Sequence, residues 1–78
     1  MTITTYEWLN REKERYYVIT IQQDDTNNIM LNYRWGGLNS NRGGKKALYV
    51  QTEESAQKII SKMIKRRKSR GYDLLYTI

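Results

Sequence analysis

The chain has 78 residues, with fourteen Lys/Arg against eight Asp/Glu for a formal charge of +6, and it holds neither cysteine nor histidine. That length allows one domain with one modest core, residues 1–78, and the missing residue types exclude disulfides, Cys/His metal sites, thiol nucleophiles and Ser-His catalysis. The positive balance suits a polyanion such as nucleic acid, and the same balance also serves plain solubility.

No stretch stays apolar long enough to span a membrane. The start "MTITTYEWLN" lacks a basic region followed by an apolar run, so no secretory signal and a cytoplasmic location are expected.

"TITTYEWL" (Thr2 to Leu9) is β-branched and aromatic and reads as a strand, and "NREKE" (Asn10 to Glu14) as a charged turn. "RYYVITIQQ" (Arg15 to Gln23) alternates clearly, with Tyr17, Ile19 and Ile21 on one face and Val18, Thr20 and Gln22 on the other. "DDTNN" (Asp24 to Asn28) is rich in side chains that bond their own backbone, which predicts a turn. The Asp24-Asp25 pair has no third acidic residue nearby, so a turn is preferred there over a cation site. "IMLNYRW" (Ile29 to Trp35) alternates again; Ile29, Leu31, Tyr33 and Trp35 share a side, with Asn32 and Arg34 opposite.

Gly36 and Gly37 then suggest that the strand ends abruptly, with the Trp35 indole left at its rim. "KALYV" (Lys46 to Val50) returns as a fourth strand with Leu48 and Val50 facing the core. Thr52 is a suitable N-cap, and Glu53 and Glu54 suit a helix start. Ala56, Ile59, Ile60, Met63 and Ile64 recur at helical spacing, opposite Lys58, Lys62 and Lys65. Cations crowd the last turns and Gly71 marks a stop, so the helix runs from Thr52 to Arg70, roughly 27 Å. Arg67 falls inside the apolar arc, where a guanidinium free beyond the sheet edge is expected. "YDLLYTI" (Tyr72 to Ile78) closes the chain as a fifth strand. The fold class is α+β: an antiparallel sheet of about five strands with one long amphipathic helix packed across it.

The loop after Trp35 is no Walker phosphate loop, because Gly44-Lys45 lacks the following Ser/Thr and the preceding spacing. The segments "RYYVITIQQDD", "YRWGG", "RGG", "TEESAQKII" and "KRRKSRGYDLLY", in this order and spacing, resemble the WGR domain. That domain is named for a Trp-Gly-Arg motif and occurs in poly(ADP-ribose) polymerases and in small bacterial proteins. The resemblance covers Arg15 to Tyr76 and implies the same sheet-and-helix fold. It also implies a grip on DNA ends, with the motif Trp packed on a terminal sugar and nearby polar and basic residues on phosphates. Trp35 and Gly36 take the Trp and Gly positions, Arg34 matches a basic residue often preceding them, and Tyr72 resembles a tyrosine that approaches the DNA backbone. Gly37 stands where the motif Arg belongs, which removes one phosphate contact and a contact to neighbouring domains.

The expected function is therefore a non-catalytic nucleic-acid-binding module, for DNA before RNA, at ends or breaks. Its expected site is Trp35, Arg34, Gly36, Arg42, Lys45, Lys46 and Tyr72. Trp35 is placed open to solvent on the strength of the resemblance, since its strand parity alone makes it a core residue. The alternative is a protein-interaction or regulatory module that offers an exposed Trp8, Tyr49 or the outer sheet face. No metal, cofactor, membrane or small-molecule substrate is expected, and an enzyme is not, because no nucleophile–base pair or cofactor loop is present.

Overall fold

The computed structural model describes residues 2–26 and 28–77. Asn27, expected in the Asx-rich turn, and Ile78, expected at the end of the last strand, lie outside the described residues. The elements run β1 (Thr2–Asn10), β2 (Arg15–Gln23), β3 (Ile29–Gly37), β4 (Gly43–Val50), α1 (Glu53–Ser69) and β5 (Asp73–Thr77). The sheet order is β4-β3-β2-β1-β5, antiparallel throughout. The first four strands form a meander, so alternate turns lie at the same end of the sheet. The helix carries the chain from one sheet edge to the other.

Period-two alternation decides which side the helix covers. Trp8, Tyr17, Ile19, Leu31 and Tyr33 share one face and meet the helix stripe through Ile60, with Ile59, Met63 and Ile64 packed around it. Fully buried side chains such as Ile19, Leu31 and Ile60 each contribute about 1.5–3 kcal/mol. At the helix start the Thr52 hydroxyl accepts from the Ser55 N–H at 3.1 Å, and Glu53 and Glu54 occupy the first turn. In the expected Asx turn, one carboxylate oxygen of Asp24 accepts from the Thr26 N–H, the Thr26 hydroxyl and the Asn28 N–H.

Three expectations need correction. β3 does not stop at Trp35 but continues through Gly37, and β4 begins at Gly43 rather than Lys46, because Gly36 and Gly43 still pair across the hairpin. Leu48 is 38% exposed, since β4 is an edge strand that the helix only partly covers. Trp8 is 2% exposed, packed edge-on to Tyr17 in the core, and offers nothing to a partner.

Candidate nucleic-acid interface

Three chain segments meet at one end of the sheet: the β1–β2 turn, the β3–β4 turn and the C-terminal turn of α1. Each is fixed by a specific bond. Asn10, buried at the end of β1, donates from Nδ2 to the Arg70 carbonyl at 3.2 Å and accepts the Lys13 N–H on Oδ1 at 3.0 Å. One amide thus ties the helix end to the first turn. Glu14, held at φ 52, closes that turn and joins it to the third. Its carbonyl accepts the Leu38 N–H at 2.8 Å, and its carboxylate accepts the Asn39 side-chain amide at 3.0 Å.

The helix stops in a Schellman arrangement. The Tyr72 N–H donates to the Arg67 carbonyl at 2.9 Å and the Gly71 N–H to that of Lys68 at 3.1 Å. Gly71 adopts φ 86, which a side chain would strain. The motif brings residue 72 back over residue 67. Here that contact is a cation on a ring: the Arg67 guanidinium lies 5.3 Å from the centre of Tyr72 and 4.3 Å from that of Tyr17. Arg67 is therefore not the free guanidinium the helix pattern suggested. It is half-buried between two tyrosines, and its buried Nε has no hydrogen-bond partner among the described residues.

Tyr17 also stacks on Trp35, with ring centres 6.0 Å apart and planes 15° from parallel. On its other side the indole covers Gly44, where any Cβ would collide with it. The absence of a side chain at position 44 lets the indole lie down on the sheet. Trp35 remains 36% exposed, because it lies beyond the helix stripe at the end of the aromatic row. Burial pushes the Tyr17 hydroxyl above its ordinary pKa, against the opposing pull of Arg67 and Arg66.

These parts enclose an open groove of about 690 Å³. Lys13, Arg15, Arg42, Arg67 and Arg70 line it, and Glu14 is the one carboxylate among the described residues that do. The excess is five cations to one anion, and that anion is already engaged by Asn39.

Of the residues singled out from sequence, Trp35, Gly36, Arg42 and Tyr72 line this groove. Arg34, Lys45 and Lys46 do not. Arg34 and Lys45 are cross-strand partners on the opposite sheet face, and Lys46 sits at the edge with its ammonium 5.0 Å from the Tyr33 ring centre. Neighbours in sequence on a strand point to opposite sides. Sequence reasoning missed Arg15, Lys13, Arg70, Asn10 and the anchored role of Arg67. The available signal was the meander itself, which puts the first and third turns at one end.

Among the described residues no group of three or more His, Cys, Asp or Glu side chains is placed to hold a metal ion. No helix among them is long and apolar enough to cross a membrane. Neither curated proteins nor solved structures provide a match to the chain. The family profile of the WGR domain, however, matches residues 3–75, nearly the whole chain. It spans every strand and the helix that build the groove, and with that match the chain belongs to the WGR domain family.

Proposed function

We propose that this chain is a non-catalytic nucleic-acid-binding module that holds DNA, at ends or breaks, through sugar and phosphate contacts in the Trp35 groove. The observation that carries the reading is the five-to-one cation excess around a half-open indole platform. Aromatic faces beside cations suit nucleic acid, because sugars and bases offer flat apolar surface while phosphates need neutralising. WGR domains of proteins related to poly(ADP-ribose) polymerases are generally nucleic-acid-binding, which agrees with this reading.

Trp35 supplies the stacking surface, and Arg15, Arg42, Arg67 and Arg70 supply the phosphate contacts. Together they substitute for the arginine that Gly37 replaces. Arg67 reaches the groove already ordered by two rings, so little side-chain freedom is lost when it meets an anion. Sugar and phosphate contacts position a duplex end without reading its sequence. The chain contains no histidine or cysteine to act as base or nucleophile, which supports a binding role over a catalytic one.

Fluorescence anisotropy titrations with nicked, blunt and single-stranded DNA oligonucleotides test this. Binding should weaken steeply with salt, with a slope near −3.6 if about four phosphates are neutralised in duplex DNA. Failure to bind any of these oligonucleotides at low salt rejects the reading. Recovery of a stoichiometric protein partner free of nucleic acid would instead favour an interaction module.

A further inference from the structure

We propose that the uncovered face of the sheet is a second contact surface, for an unpaired strand that continues from a nucleic-acid end held in the Trp35 groove. The proposal rests on the groove reading and adds a substrate class to it: ends with single-stranded overhangs. Parity places Tyr16, Val18, Thr20 and Gln22 of β2 on this face, beside Arg34 and Asn32 of β3 and Lys45 and Ala47 of β4. No helix covers it. These strands form a shallow groove of about 660 Å³.

Arg34 and Lys45 stand directly opposite each other across the β3–β4 pair, both exposed; among the described residues no carboxylate lines this groove, and Glu7 of β1, opposite Val18, is the same-face carboxylate beside it. Like charges in directly opposed positions destabilise a sheet. A polyanion lying between them removes that repulsion. The floor is uncharged: Val18, Thr20 and Ala47, with the Asn32 amide donating to Gln22 at 3.0 Å. That bond uses one donor and one acceptor, and each side-chain amide has further capacity for sugars or bases.

Tyr16 connects the two surfaces. It lies on the open face, yet it also lines the Trp35 groove. Its ring rests on Gly36, where an added Cβ would come within 3.0 Å of the phenol oxygen. From Gly36 to Arg34 the strand advances about 7 Å. A strand leaving the first groove thus meets an aromatic ring and then a pair of cations, the combination that binds single strands without sequence preference. The Tyr16 ring, which lines the first groove one same-face position from Val18 of the second, favours nucleic acid over an acidic polypeptide here.

The test is anisotropy with a blunt DNA duplex and the same duplex bearing a six-nucleotide overhang, across a salt series. The overhang should tighten binding on the order of tenfold, as one stacked base predicts, and steepen the salt slope by roughly 1.4 for two single-strand phosphates. The R34E/K45E double variant should remove both gains and leave the blunt duplex unaffected. It keeps two like charges opposed, so melting should stay close to that of the parent, and R34Q/K45Q should lose a smaller part of the gain. Equal affinity for blunt and overhanging ends overturns the proposal, and so does an equal loss on both substrates in the double variant. If poly-glutamate competes only through Arg34 and Lys45 while the overhang gain persists, the face belongs to a protein and the proposal falls. Loss of binding to blunt duplex by the unaltered protein rejects the groove reading itself, an outcome distinct from a missing overhang effect.

Discussion

The two ends of this sheet use charge in opposite ways. At the far end lie Asp24 and Asp25 in the β2–β3 turn and Glu53 and Glu54 in the first turn of the helix. At the near end lie the groove arginines and the cationic last turn of the same helix. The helix dipole suits the charges that the helix itself carries at the two ends, anions in its first turn and cations in its last. The dipole does not account for the use. Asp24 directs its carboxylate to its own turn, accepting from residues 26 and 28. Near-end cations instead face rings and a groove with one engaged carboxylate. Charge committed to the local backbone stabilises a turn; charge held on rings beside open space is available to a ligand.

Removing the platform should produce the largest effect. Trp35→Ala deletes the stacking surface, and binding should weaken by about 1–3 kcal/mol, or roughly 5- to 150-fold. The buried core lies beneath the helix and does not include Trp35, so far-UV circular dichroism should be unchanged. Asp24→Ala at the far end should leave affinity as it was. Equal losses from both variants would show that the ends do not differ in function, and the contrast drawn above would fail.

The next effect bears on how the near end is assembled. Asn10→Ala removes the buried amide that joins the helix end to the first turn. Losing a buried partner of this kind costs about 1–2 kcal/mol, which lowers the melting temperature by roughly 4–16 °C in a domain of this size. Affinity should also fall at temperatures where the variant remains folded, because Arg70 and Lys13 lose their common anchor. A variant that melts earlier but binds as tightly would show that the amide supports the fold alone.

Much of the architecture was legible because local patterns and global fold agree. Alternation along "RYYVITIQQ" and the stripe from Ala56 to Ile64 each give an element and its buried face. Thr52 and Gly71 mark the helix ends through capping chemistry that acts over a few residues. The misread features depend on longer-range relations. Glycine pairs at 36–37 and 43–44 resemble strand breaks until cross-strand pairing is known, after which Gly36 and Gly43 are paired strand residues and Gly44 is the bare position beneath the indole. Leu48 alternates as a core residue should, but alternation does not show that its strand is an edge. Arg34 and Lys45 are close to Trp35 in sequence and on the wrong face for its groove, which the parity of the strand already implied. Arg67 could not be placed without knowing that Tyr17 lies beneath the last helical turn. Site legibility was thus lower than fold legibility, because the groove joins three segments whose contacts are set by topology.

The smallest expected effects sharpen the contrast through pH. Hydrogen bonds, first that from the Thr26 hydroxyl and then that from the Asn28 backbone, hold the Asp24 carboxyl below its ordinary pKa of 3.8. A depressed carboxyl contributes stability that is present above its ordinary value and lost as pH falls through its folded value. Tyr17 has the opposite sign. Burial raises its hydroxyl above 10.0, so its contribution is present below that value and lost as pH rises through the folded one. The far end should therefore shape the acid limb of a stability profile and the near end the alkaline limb. Thermal melts from about pH 3 to about pH 11 should show a flatter acid limb for Asp24→Asn and a flatter alkaline limb for Tyr17→Phe. Affinity should follow only the second. An ionised Tyr17 places an anion under the Arg67 guanidinium and draws it from phosphate, whereas protonating Asp24 leaves the groove's five cations untouched. A DNA affinity that stays constant through the alkaline limb would mean that Arg67 does not meet phosphate from its seat between the tyrosines.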